Sequence, residues 1–325
     1  MHCARFARTF AVRALVLTAA LLLAAPFAAS ADYRVEKTLE LAPGGTFRLE
    51  TDGGEVEIVG TSSDGARVVV TSRKDDFEDD YELSFSSDGR TVEVELDRRG
   101  SRFFSWGWRD SIRFEVWLPS RTDVYVDTAG GAIELESIEG KTELRTSGGS
   151  ISARDVTGKV LADTSGGAIR IEDVRGDVHA DTSGGAIVVR RVTGTAVADT
   201  SGGSISMRQI GGDVVADTSG GSIDIEGAGG SVRADTSGGP VTVAFAPGND
   251  FGGTLSSSGG RVTAILDPAV SLDIDASTSG GSVKTALPVT VRGTVSRSEL
   301  QGQLNGGGEL LKLRSSGGGI RIEAH

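Results

Sequence analysis

Chemistry-bearing side chains are scarce in this chain. Its single cysteine is Cys3, and its three histidines are His2, His179 and His325. Neither a disulfide framework nor a His/Cys zinc set can be assembled from these, and a Ser-His-Asp triad is unavailable by count. No G-x-S-x-G elbow, P-loop or H-E-x-x-H is present, and the calcium-binding G-G-x-G-x-D repeat is unmatched. No stretch after residue 31 carries a helical period or an apolar run long enough to span a membrane. Aromatics are few, with three Trp, three Tyr and eleven Phe in 325 residues. A net charge of −12 argues against nucleic acid, whose phosphates it would repel. The expectation is therefore a protein without catalytic, cofactor or metal residues.

Residues 1–31 read as a signal peptide. Arg5, Arg8 and Arg13 form a basic start, Ala14 to Ala25 an apolar run, and Ala29-Ser30-Ala31 a small-x-small cleavage pattern. Cys3 lies inside this segment, so no lipid-anchoring cysteine is offered. Cleavage would leave a still more acidic chain, directed to the periplasm or the cell surface.

Glycine, by contrast, is abundant at 47 residues, and it is in register. The phrase Asp-Thr-Ser-Gly-Gly begins at Asp163, Asp181, Asp199, Asp217 and Asp235, always 18 residues apart. The register extends back through Arg145 and Asp127, looser copies follow at Ser256, Ser277 and Arg314, and an early one starts at Glu50. Such a period means one supersecondary unit per repeat, each burying its apolar face against its neighbours. Writing one unit from Lys159 to Gly176 puts Val160, Ala162 and Thr164 on one side of a first strand, and Ile169 and Ile171 on one side of a second. Val174 then turns inward at a corner.

Aligning the units exposes three apolar columns. They run Ile133 to Val241, Leu135 to Val243 and Ile138 to Ala228. An outward column reads Glu136, Arg154, Glu172, Arg190, Arg208, Glu226, and four of its five neighbouring pairs are opposite in sign. That alternation suits in-register parallel stacking, which makes residues 18 apart neighbours in space. The fold expected is all-β: a single-chain parallel β-solenoid of 18-residue coils over residues 121–325, with irregular C-terminal coils. Residues 32–120 are expected to cap it with antiparallel strands, including a hairpin of Tyr81–Ser86 with Thr91–Leu96. Charged Arg321 and Glu323 would blunt the last edge.

Three features invite a functional reading. The Asp163, Asp181, Asp199, Asp217 and Asp235 ladder reads as capping of a sharp turn whose paired glycines take positive φ; a cation-binding edge is the other reading. Its Asp-Thr-Ser-Gly differs from the Asp-Thr-Gly of aspartic proteases and recurs along one edge, where no dyad can share a proton. Asp75 to Asp80 read as a solvated acidic loop. Arg102, Phe103, Phe104, Trp106, Trp108 and Arg109 concentrate aromatics and arginines in one segment. Those residue types dominate recognition hot spots and suit stacking or insertion at a lipid interface; folding back as a plug over the open end of the solenoid is the other reading.

The cap strands followed by T-x-G-G-x-I-x-I/V coils resemble a bacterial β-strand-repeat family labelled "putative adhesin", a domain of unknown function, over Val35 to Glu323. The resemblance implies an exported single-chain β-helix with a role in the cell envelope or at its surface, and it offers no catalytic residues. A non-enzymatic binding or scaffold module with an envelope or surface partner, protein or glycan, is the leading expectation. A ligand-free structural spacer or envelope-stress component is the alternative. A polysaccharide-acting β-helix enzyme fits less well, because no coil carries a singular acidic pair beside aromatic platforms.

Overall fold

The computed structural model of the protein describes residues 33–74, 76–99, 111–291 and 295–325. Its strands form two facing sheets, one of 14 strands and one of 15. Each repeat contributes one strand to each. Val160–Thr164 lies in the larger sheet and Ile169–Arg175 in the smaller, and each pairs in parallel with its counterpart in the next coil. The register is an unbroken 18-residue step, as in Ile151↔Ile169 and Ile169↔Ile187. The expected parallel solenoid is what the chain forms.

The apolar columns are its core. Ile133, Ile169, Ile205 and Val241 in the smaller sheet, with Val160, Ala180 and Ala216 in the larger, are all buried. Side-chain size is balanced within coils. The larger sheet carries alanine at 162, 180, 198, 216 and 234, opposite larger residues such as Ile171 and Met207. In the two coils where it carries Leu144 and Leu255 instead, the smaller sheet has Ala153 and Ala264. These coils keep one large residue per layer, as close packing at fixed thickness favours, whereas the end coils carry two, Leu49 with Ile58 and Leu313 with Ile322.

The two corners of each coil are built differently. At one, Ser137, Asp155, Asp173, Arg191 and Gln209 have φ between 53° and 63°. A single left-handed residue breaks the alternation, so that Val156 and Val174 face inward and pair directly. At the Thr-Ser-Gly-Gly corner the glycines are not left-handed, contrary to the sequence expectation. The second glycine is required for closeness: a Cβ on Gly203 would collide with the carbonyl oxygen of Gly185 one coil away.

Both ends depart from sequential stacking. Leu41–Thr51 pairs in parallel with Thr122–Thr128 on one side and with Gly89–Arg98 on the other. Glu55–Thr61 likewise lies between Arg113–Pro119 and Ile133–Glu139, parallel to both. The first coil of the sequence is thus inserted one place inward, and much of residues 32–120 continues the parallel stack. Antiparallel pairing is confined to the outer strands. Tyr33–Leu39 pairs with Ala66–Ser72, which pairs with Arg113–Pro119, and the expected hairpin joins Tyr81–Ser87 to Gly89–Arg98. The acidic run holds a helical turn, Phe77–Asp80, instead of a free loop. Phe77 is buried and its ring lies 4.1 Å from that of Tyr33 and 5.1 Å from that of Tyr81.

At the other end the last coil is also internal. Glu309–Ser315 lies between Gly253–Ser257 and Leu272–Thr278, and Ile320–Ala324 between Val262–Leu266 and Val283–Thr285. Arg321 and Glu323 therefore do not protect a sheet edge. The strands Val283–Thr285 and Val289–Val291 hold the edges at this end.

Candidate functional site

One long regular surface is the outer face of the larger sheet. Strand alternation turns two columns outward there, and one is the aspartate ladder. Asp163↔Asp181↔Asp199↔Asp217↔Asp235 are register partners in consecutive strands, roughly 5 Å apart by the spacing of paired strands. Beside them runs a mixed column of Leu161, His179, Val197, Val215 and Arg233.

The turn beneath is capped by threonine, not by aspartate. Thr164 Oγ1 donates to the carbonyl of Gly149 in the preceding coil at 2.9 Å and accepts from the Gly167 amide at 3.3 Å. Thr182, Thr200 and Thr218 repeat both bonds. These hydroxyls are buried, so they satisfy a donor and an acceptor that solvent could not reach. Among the described residues no hydrogen bond or ion pair engages the five ladder carboxylates. They are left facing outward.

Asp181, Asp199, Asp217 and Asp235, with the serine two positions after each, line a groove of about 370 Å³. Partial burial pushes the Asp199 carboxyl above the usual range, and the Asp217 and Asp181 charges add to the effect. Burial also raises Asp217, assisted by Asp235 and opposed by Arg233. Carboxylates aligned along a flat face do not converge on one point, and among the described residues no group of three or more His, Cys, Asp or Glu could hold a metal ion. The row makes an extended negative field, suited to attracting cationic groups along its length.

A second shallow groove, of about 300 Å³, lies where the inserted first coil meets the repeats. The Arg48 guanidinium sits 4.5 Å from the centre of the Tyr125 ring, and Lys141 Nζ 5.1 Å from it. Glu143 receives Lys141 at 3.1 Å and Arg145 at 2.6 Å. The residues of this groove escaped sequence reasoning because Arg48 and Tyr125 become neighbours only through the insertion of the first coil.

The smaller sheet shows the expected ion pairs across coils. Arg154 reaches Glu136 at 3.4 Å, Arg190 reaches Glu172 at 3.3 Å and Arg208 reaches Glu226 at 3.6 Å. Arg191 adds a two-point contact with Asp173 at 2.5 and 2.8 Å. Charges on this face are largely paired across coils, although the buried Arg190 Nε has no hydrogen-bond partner. The aspartate ladder of the larger sheet, by contrast, has no hydrogen-bond or ion-pair partner among the described residues. Arg102, Phe103, Phe104, Trp106, Trp108 and Arg109 lie outside the described residues, as does the expected signal segment.

Comparison with known proteins places this architecture in context. The family model described as Toastrack DUF4097 matches residues 46–323. Among solved structures, the chain is similar to a "putative cell adhesion protein" from Clostridium sporogenes ATCC 15579, at 13% identity and a TM-score of 0.22, covering 90% of this chain and 100% of that one. It is similar to a "putative adhesin" from Bacteroides fragilis NCTC 9343, at 10% identity and a TM-score of 0.31, covering 89% and 97%. A third is a "putative lipid binding protein" from Parabacteroides distasonis ATCC 8503, at 10% identity and a TM-score of 0.37, covering 89% and 96%. No curated protein matches the chain.

Proposed function

The chain belongs to the Toastrack DUF4097 family, and on that footing we propose that it is an exported, non-enzymatic binding or scaffold module of the bacterial cell envelope. The working surface in this reading is the outer face of the larger sheet, with the segment Arg102 to Arg109 as a second contact. One observation carries it: a continuous strand face holding a row of carboxylates with no hydrogen-bond or ion-pair partner among the described residues, while several acidic residues of the other sheet are matched by arginines one coil away. Unpaired like charges cost stability in a monomer, and an external cationic partner relieves that cost. Stacked coils offer the extended, rigid surface such binding needs. The basic n-region and apolar run at the start of the chain support export.

The test is binding of the purified protein to cell-envelope fractions, intact, protease-treated or stripped of glycans. Wild type is compared with D199N/D217N and with W106A/W108A, and melting is followed in parallel. Loss of binding at unchanged melting in either variant supports the reading and locates the contact. The pretreatment that abolishes binding tells protein from glycan. If wild type binds no fraction, the binding reading fails and a ligand-free spacer or envelope-stress component takes its place.

A further inference from the structure

The last coil of the sequence, Glu309–Ser315 with Ile320–Ala324, forms strand pairings only with segments remote in sequence. Its strand register partners lie in Gly253–Leu266 and in Leu272–Thr285. It makes no strand pairing with the preceding strand Glu299–Leu304, which sits on the far side of Leu272–Thr278. The slot is apolar within, since Leu311, Leu313, Ile320 and Ile322 are buried. It is also keyed. Arg314 donates to the Asp275 carboxylate at 2.5 Å and to the Asp275 carbonyl at 2.8 Å. Ser315 Oγ donates to the Gly260 carbonyl at 2.9 Å, and Thr278 Oγ1 to the Gly318 carbonyl at 2.6 Å.

The coil reaches the slot through a short strap, residues 305–308, which crosses the turn at 268–271. Asn305, Gly306 and Gly307 are consecutive left-handed residues, with φ of 47°, 95° and 84°. Asn305 Nδ2 donates to the Pro268 and Val270 carbonyls at 2.7 and 2.8 Å, and Ser271 Oγ donates to the Asn305 carbonyl at 3.1 Å. Those bonds and the strap's conformation are what tie the coil to its own chain. All of the coil's strand pairings are with a slot that a second copy presents identically. Short hinges in constrained conformations are the elements through which copies exchange.

We propose that the coil 309–324 is a strand-exchange element, and that the slot between coils 253–266 and 272–285 is a docking site for the same coil of a second copy. Intramolecular and intermolecular insertion bury the same surface. The balance is therefore set by strap geometry and protein concentration. This inference stands on strand pairing and does not depend on the envelope-binding reading.

The test uses full chains in a C3S background, one carrying T254C and the other K312C. Thr254 and Lys312 are register partners across the slot, at a spacing that a disulfide spans. After co-unfolding, refolding as a mixture and oxidation, a T254C–K312C covalent heterodimer is expected. It should exceed, by about tenfold, the product from a V215C and K312C mixture, which reports random collision on the same face. Deleting Gly307 and Gly308 shortens the strap and should convert the refolded protein from monomer to dimer by light scattering. A heterodimer no more abundant than the collision control, or a deletion variant that refolds as a monomer, overturns the proposal.

Discussion

The hydroxyl of Thr182 donates to the carbonyl of Gly167, 2.9 Å away in the preceding coil, while accepting the amide of Gly185 in its own turn at 3.3 Å. One buried side chain thus closes a turn and joins two coils. Thr182→Val keeps the shape and removes both bonds, leaving buried backbone groups unsatisfied. A loss of about 1–3 kcal/mol is expected, measured by denaturant unfolding. Thr182→Ser, which retains the hydroxyl, should recover most of it. Equal stability of the two variants would mean the hydroxyl ladder contributes nothing.

The two glycines of one corner should respond in opposite ways to a methyl group. At Gly202 the nearest atom to an added Cβ is the Gly184 carbonyl oxygen at 3.5 Å, an ordinary contact. At Gly203 the Cβ would overlap the Gly185 carbonyl of the neighbouring coil, which is backbone and cannot step aside. Gly202→Ala should leave the melting temperature within a few degrees of wild type. Gly203→Ala should lower it well beyond that, or abolish soluble expression.

Thr142 occupies a core column otherwise filled by residues such as Val124, Val160 and Val178. It is fully buried, and its hydroxyl has no hydrogen-bond partner. Thr142→Val replaces an unsatisfied hydroxyl with a methyl group of the same shape. A gain of about 1 kcal/mol in unfolding free energy is expected. A loss would reveal a partner for that hydroxyl in solution.

Burial and neighbouring carboxylates hold Asp199 and Asp217 above the ordinary aspartate range. The folded protein therefore keeps protons that the unfolded chain releases. Stability from these groups falls as pH rises from about 4, the unfolded aspartate value, through their folded pKa values. Asp217→Asn removes the Asp217 share of that dependence and weakens the Asp199 share, which burial still raises. Relative to wild type it should stabilise at pH 7 and lose its advantage below pH ~4, read from unfolding midpoints across the range. The comparison must be made between the two proteins at each pH. Carboxylates such as Asp173, whose pKa the Arg191 pairing lowers, oppose the trend in both alike.

Size compensation between sheets is testable as a cycle. Leu144→Ala should cost about 2–5 kcal/mol by leaving a void, and Ala153→Leu should strain the same layer by about 1–3 kcal/mol. The double exchange should be less destabilised than the sum of the two. Strict additivity would show that the residues do not share a layer.

Much of this protein is legible in its sequence. In the middle of the chain each strand's neighbour lies 18 residues away, so the period itself states the pairing. Core columns such as Ile169, Ile187 and Ile205, and the Glu172–Arg190 pair, follow directly. The aspartate ladder was equally visible as a column, but its role was not. Whether Asp163 or Thr164 caps the turn depends on which side of the strand faces a buried amide, and only the threonine does. The glycine pair was likewise ambiguous, because positive φ and close stacking leave the same mark in a sequence.

The tertiary structure alone decided the two ends. There, neighbours are set by insertion of the first and last coils, not by the period. Ser315 bonds Gly260 across 55 residues, and Arg48 meets Tyr125 only because the first coil is placed one position inward. Phe77, inside an acidic run, is drawn under the cap by the rings of Tyr33 and Tyr81. A repeat propagates its own register, so sequence determines the interior of the stack. Its ends lack an identical neighbour, and there long-range burial of apolar strand faces selects the partner.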